Sequence, residues 1–185
     1  MIEYVDILPT FIEAAGGAPP AVLDGSSFLQ VLLGQSNHHK DYVYGLQTTR
    51  GITNGSDHYG IRSIRSHQYK LLINLTPTVP FKNNLTENKG GWTEFWPTWV
   101  EAGKTDGFAK ETTRRYQWRS SEELYDIKND PYEFNNLADE KKYQAIKKDL
   151  RLRLLRWMNE QGDLGQETEL AALSRTFKAG GSAKR

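Results

Sequence analysis

The chain has 185 residues, with 24 Lys and Arg against 23 Asp and Glu, a net charge of +1, 37% hydrophobic residues and no cysteine. That balance suits one globular domain, or a domain with a piece of another, and supplies no general electrostatic drive toward nucleic acid or an anionic membrane. Disulfides and thiolate metal sites are excluded, and there is no run of about 18 apolar residues to cross a bilayer.

In chain order, the first expected element is a short helix within residues 1–16. Asp6 stands at its N-cap, Pro9 falls in the first turn where its missing N–H has no intrahelical partner, and Gly16-Gly17 ends it. Asp24-Gly25-Ser26 makes a loop, and Ser26 or Ser27 caps a second short helix through Phe28, Val31, Leu32 and Leu33, closed by Gly34. Both helices are too small and too apolar to stand without a neighbour, which the rest of the chain does not obviously provide. From Asp41 the period becomes that of strands: 42–47, 59–64, 69–75 and 123–127. Ser66-His67-Gln68 has the length of a hairpin turn. Between the third and fourth strands, residues 76–121 read as a long polar insertion carrying Trp92, Phe95, Trp96, Trp99, Phe108, Tyr116 and Trp118. Asn129-Asp130-Pro131 breaks the last strand, since proline has no N–H for the ladder. Asp139 then caps a helix to about Gln161 that puts Tyr143, Ile146, Leu150, Leu154 and Trp157 on one face. From residue 162 onward the composition predicts a flexible tail.

A search for catalytic chemistry returns little. Gly-x-Gly-x-x-Gly and Gly-x-x-x-x-Gly-Lys-Ser/Thr patterns are absent. His38 and His39 are adjacent and point in different directions, so with Asp41 they make a poor metal site, and no metal ligands are assigned. His58 and His67 read as surface or structural residues. Two features rise above background. Arg50, Arg62 and Arg65 cluster with Gln47 and Thr49 at the ends of the first two strands; their guanidinium forks suit sulfate or carboxylate, or else pair with Asp or Glu of the same sheet. The tryptophans of the insertion suit sugar stacking, or else packing against a partner domain, which is the commoner use. The triplets beginning at Asn54, Asn74 and Asn84 fit the glycosylation sequon.

Val5-Asp6-Ile7-Leu8-Pro9-Thr10 with Ala14-Ala15-Gly16, then Leu23-Asp24-Gly25-Ser26-Ser27, resembles the end of the catalytic domain of type I sulfatases. Tyr59 to Asn74, Glu123-Leu-Tyr-Asp with Asn129-Asp-Pro-Tyr-Glu, and Asn136-Leu-Ala resemble the C-terminal subdomain of the same family. Val43-Tyr44-Gly45 followed by Gln47, and Asn74-Leu75 followed by Val79-Pro80-Phe81, look closest to the heparan N-sulfatases (sulfamidases) and their bacterial relatives. The resemblance implies an α+β piece of an alkaline-phosphatase-like fold: a four-stranded, mainly antiparallel sheet covered by a long C-terminal helix, preceded by short helices. Its parts would be 1–40 as the tail of the catalytic α/β domain, 41–161 as the C-terminal subdomain with its insertion 76–121, and 162–185 as a flexible tail. It further implies hydrolysis of sulfate esters or N-sulfate groups of a sulfated sugar or glycosaminoglycan.

In that family a formylglycine, made from Cys or Ser in Cys/Ser-x-Pro-x-Arg, cleaves sulfate beside a calcium held by Asp and Asn. The chain has neither motif, so no catalytic residue is assigned and both groups are expected upstream. By the resemblance this chain supplies structure and one wall of the substrate cleft, with Gln47, Thr49, Arg50, Tyr59 and Arg62 facing an anionic sugar. The expected partners are the sulfated carbohydrate and the missing N-terminal sulfatase domain, not nucleic acid or membrane. The start of the chain lacks the basic and apolar regions of a signal peptide, while the family implies a periplasmic, extracellular or lysosomal setting. A non-catalytic carbohydrate-binding module and a purely structural piece stay open as alternatives.

Overall fold

The computed structural model describes residues 1–48, 54–56, 58–89 and 91–172. Its strands β1 (Val43–Gln47), β2 (Ile61–Arg65), β3 (Tyr69–Asn74) and β4 (Glu122–Asp126) form one four-stranded antiparallel sheet in the order β1-β2-β3-β4. The expected α+β architecture, a four-stranded antiparallel sheet with a long C-terminal helix, is therefore present. The β2–β3 turn is closed by Ser66: its Oγ accepts from Gln68 N at 3.3 Å and Tyr69 N at 2.9 Å, and its N–H donates to Tyr69 O at 2.8 Å. The chain divides into two compact units, 1–45 with 63–71 and 124–151, and 46–62 with 72–123 and 152–185.

The first unit contains α1 (Ile7–Ala14) and α2 (Leu29–Leu32). Asp6 does stand at the N-cap position of α1, but in helical conformation and without capping it. The cap lies earlier, where Glu3 and Asp6 form a reciprocal box around a single 3-10 turn, Tyr4–Asp6, and Asp6 is thereby free to serve a wider network. Gly16 (φ +79°) and Gly34 (φ +70°) end the two helices in the left-handed region, as expected of glycine. The break after β4 is an Asx arrangement: Asp126 accepts from Asn129 N at 3.2 Å and Asn129 Nδ2 at 2.9 Å. Asn136 then ties the loop back, its Oδ1 accepting from Leu124 N at 2.9 Å and Ala138 N at 3.0 Å. The long helix differs at its entry from the expected Asp139 cap. A 3-10 turn, Lys141–Tyr143, precedes α5 (Gln144–Glu160), and the Gln144 amide reaches back to Ala138 O at 2.9 Å and Glu140 O at 3.1 Å.

The second unit is built on aromatic packing. Tyr59, Ile61 and Phe81 form its buried cluster, with Leu72 and Tyr116 against it. Tyr59 meets Phe81 edge-on at 5.3 Å between centroids, Phe81 meets Tyr116 at 5.8 Å, and Trp96 meets Tyr116 at 5.3 Å. The guanidinium of Arg119 lies 4.6 Å over Phe81. The 76–121 insertion is not a loop. It folds into α3 (Phe95–Ala102) and α4 (Gly107–Gln117), the latter capped by Asp106, whose Oδ1 accepts from Phe108 N at 2.8 Å and Ala109 N at 3.1 Å. Trp96 is buried in this packing, whereas Trp92, Trp99 and Phe108 stay exposed. The flexible tail expected from 162 is likewise corrected over its described part. Gly165 (φ +67°) turns the chain into α6 (Gln166–Leu170), and Asp163 and Glu169 are buried. Residues 173–185 of that tail lie outside the described residues.

Candidate functional site

Two buried charge clusters organise the residues singled out in the sequence, one in each unit. In the first unit the centre is an anion. Asp6 is fully buried, and its carboxylate accepts from Lys40 Nζ at 2.7 Å, Glu3 N at 2.9 Å and Ser26 N at 3.0 Å, with His39 Nε2 3.1 Å away. Lys40 Nζ also reaches Glu3 at 2.7 Å, and Glu3 accepts from Tyr44 N at 2.7 Å. Burial alone would raise the Asp6 pKa, but the hydrogen bonds from Lys40, Ser26 and Glu3 outweigh it and hold the carboxyl at about 2. Thr10 extends the network, donating to Asp6 O at 2.6 Å and accepting from Phe28 N at 3.1 Å. A Cβ on Gly25 would lie 2.0 Å from Val5 O, so the loop can approach the first helix only as glycine. This network spans the Val5–Thr10 and Asp24–Ser27 motifs; its role is to join them.

In the second unit the centre is a cation. Arg62 on β2 is fully buried; Nε pairs with Asp163, Nη2 bonds Asp163 at 3.2 Å and Glu169 at 2.7 Å, and Nη1 donates to Gln47 O and Ile61 O, each at 3.2 Å. Burial would lower the Arg62 pKa, but the bonds to Asp163 and Glu169 outweigh it, and the guanidinium stays charged. Glu169 Oε2 also accepts from Thr48 Oγ1 at 2.7 Å, and Asp163 Oδ1 accepts from Gly165 N at 2.9 Å. Gly60 makes room for this: a Cβ there would stand 2.7 Å from Glu169 Cγ.

Of the five residues expected to face a sugar, Arg62 is turned inward, its fork occupied by Asp163 and Glu169, carboxylates of its own chain but not of the sheet that the pairing alternative named. Tyr59 is also fully buried, against Phe81, and burial pushes its phenol pKa up. Gln47 sits half-buried at the end of β1 with its carbonyl held by Arg62. Thr49 and Arg50 lie outside the described residues. Of the sequon residues, Asn74 is buried, its Nδ2 donating to Ser120 O at 2.6 Å and Glu123 at 2.9 Å, a position closed to a glycan. The sequence reading missed Asp163 and Glu169, whose neighbourhood of Gly, Gln and Glu resembles a tail. It also missed that His67 joins His38 and Asp41: one ligand atom from each lies within 4.8 Å of the others. That trio, with two imidazoles, does not fit calcium, which takes oxygen ligands, and the chain has neither a cysteine nor a Ser-x-Pro-x-Arg in which a formylglycine could be made.

No family model matches the chain. Against curated proteins it is 38% identical over 167 residues to an ulvan-active sulfatase of Formosa agariphila, covering 90% of this chain and 30% of that protein. Its homologues are sulfatases. A second relative, the N-sulphoglucosamine sulphohydrolase of Homo sapiens, is 26% identical over 171 residues, covering 88% of this chain and 33% of that protein. Among solved structures, a 2-O GAG sulfatase superposes with a TM-score of 0.55 at 22% identity, over 92% of this chain and 26% of its own. Another solved structure, of a protein in complex with its substrate D-glucosamine-2-N,6-O-disulfate, gives a TM-score of 0.55 at 19% identity over 88% of this chain and 25% of its own. At those identities the structures establish the fold alone. The chain thus spans a third or less of the curated relatives it matches, and corresponds to their C-terminal part.

Proposed function

We propose that this chain is the C-terminal portion of a sulfatase that removes sulfate from a sulfated sugar or polysaccharide, the catalytic centre lying in the part of the relatives that it does not cover. The observation that carries this reading is the 38% identity to an ulvan-active sulfatase along 90% of the chain. Here the chain supplies structure and one wall of the substrate cleft. The formylglycine and calcium of such an enzyme belong to the remaining part, whose expected setting is periplasmic, extracellular or lysosomal.

A feature of the first unit supports a missing neighbour. Leu8 is 54% exposed, Phe11 68% and Leu32 62%, and the same unit has a hollow of about 430 Å³ lined by Ile2, Tyr4, Ile7, Phe28 and Val43 among others. A surface of this kind is normally buried against protein, and the absent two-thirds of the enzyme is the occupant we assign. At the cleft, Gln47, Thr49 and Arg50 are the direct contacts we assign, because the β1 end leads into them. Arg62 acts through position, holding Gln47 O, and Tyr59 through packing.

The test begins with the coding sequence upstream of Met1. An in-frame Cys-x-Pro-x-Arg or Ser-x-Pro-x-Arg with paired aspartates is the expected result, and the complete product should then release sulfate from sulfated polysaccharide while the 185-residue chain releases none. An upstream region with no such motif removes the enzyme claim and leaves a binding or structural module. In the complete enzyme, Arg50→Ala should raise KM for the sulfated sugar by about tenfold, one lost charge-assisted contact, with the fold retained; an unchanged KM removes Arg50 from the cleft.

A further inference from the structure

We propose that His38, Asp41 and His67 form a binding site for one divalent transition-metal ion of the zinc class, which ties the 36–41 loop to the β2–β3 turn. The inference uses only the first unit and needs no sulfatase activity for its test. The three side chains come from segments almost thirty positions apart, yet they present one imidazole nitrogen each and one carboxylate oxygen within 4.8 Å of one another. Zinc bonds of about 2.0–2.2 Å in tetrahedral arrangement need donors roughly 3.3 Å apart. Ring rotations of an ångström or so close that difference, and the side chains are free to make them. All three are exposed, and among the described residues none of their ring nitrogens or carboxylate oxygens is committed to a hydrogen bond.

The backbones that carry the two histidines are, by contrast, held. Ser36 Oγ accepts from His38 N at 3.1 Å and donates to His38 O at 2.8 Å. Ser66 Oγ in the same way locks the turn that carries His67, accepting from Gln68 N and Tyr69 N and donating to Tyr69 O at 3.1 Å. His39 points inward to Asp6, while its neighbour His38 is exposed. Fixed backbones with uncommitted donors are what a preorganised site requires. Without an ion the contacts here are poor. His38 Nε2 stands 3.8 Å from Asp41 Oδ1 in a pair 52% and 70% exposed, and the His38 and His67 rings lie 6.3 Å apart at a tilt of 42°. Such a surface pair contributes little and leaves His67 out. Two imidazoles with one carboxylate select a borderline cation such as zinc over calcium or magnesium, which prefer oxygen. Three protein ligands leave a coordination position for water.

The test is calorimetric titration of zinc into the untagged, EDTA-treated chain at neutral pH, with cobalt as a spectroscopic substitute and calcium as control. The expected result is one equivalent of zinc, a tetrahedral cobalt absorption band and no calcium heat. His67→Ala and His38→Ala should each weaken zinc binding by at least tenfold while the circular dichroism stays unchanged, and Asp41→Asn should weaken it less. His58→Ala, in the other unit, should leave it as it was. Absence of zinc binding, or an equivalent that survives His67→Ala, or one lost equally in His58→Ala, overturns the proposal.

Discussion

The Asp6 and Arg62 clusters solve the same problem with opposite signs. Each is a charge removed from water, and each remains stable only because every polar atom of the central group is met. They differ in how far the partners lie along the chain. Asp6 collects Glu3, Ser26, His39 and Lys40, all from the first 40 residues, and much of its satisfaction comes from backbone N–H groups. Arg62 is met by Asp163 and Glu169, 101 and 107 positions away. A short-range cluster shapes a local segment; a long-range one decides where the end of the described chain must dock.

That contrast can be broken most forcefully at Arg62. Arg62→Met leaves two buried carboxylates without their cation and should cost roughly 3–5 kcal/mol, measured as the shift in urea midpoint. Deleting residues 163–185 should be about as harmful, because it strands the guanidinium instead; a deletion without effect would mean that 163–170 is the tail its composition suggests. Next in size is Gly25→Ala. Its methyl meets a backbone oxygen that cannot swing away, and the expected loss is about 1–3 kcal/mol or more, confined to the first unit. Hydrogen exchange would show protection falling around Val5 and Phe28 while Tyr59 and Phe81 keep theirs.

Asp6→Asn sharpens the comparison through pH. The folded pKa of about 2 lies below the ordinary 3.8, so the carboxylate's contribution is fully present above about pH 4 and is lost as pH falls toward 2. The wild-type chain should therefore lose on the order of 2 kcal/mol over that window, and the Asn variant should be weaker at neutral pH with a flatter acid limb. An identical acid limb in the variant would place the titration elsewhere, Asp163 being the next candidate, since the bonds from Arg62 and Gly165 outweigh its burial and hold its pKa low. The smallest effect is expected at Thr48→Val, which removes one hydrogen bond to Glu169 and should cost about 0.5–1.5 kcal/mol.

Legibility followed sequence distance. The alternation of Val43-Tyr44-Gly45-Leu46 and of Tyr69-Lys70-Leu71 announced strands, Asn129-Asp130-Pro131 announced their end, and Gly16 and Gly34 announced helix stops, because each signal is local chemistry of adjacent residues. The insertion with α3 and α4 was misread because its Gly, Thr and Asn content speaks for loop when the packing of Trp96 on Tyr116 is unknown. At the candidate site, Arg62 was identified as exceptional for a sound reason, its forked charge, but its direction was not legible.

By itself, then, the sequence determined the strands, their order along the chain, the proline and glycine boundaries and the relation to sulfatases, all matters of period, turn chemistry and motif. The tertiary structure alone decided that Arg62 is turned inward to Asp163 and Glu169, that the supposed tail folds back, and that His67 comes to His38 and Asp41. Side-chain direction at a charged residue depends on which opposite charges or shared ligands arrive from distant positions, and no local pattern encodes that arrival.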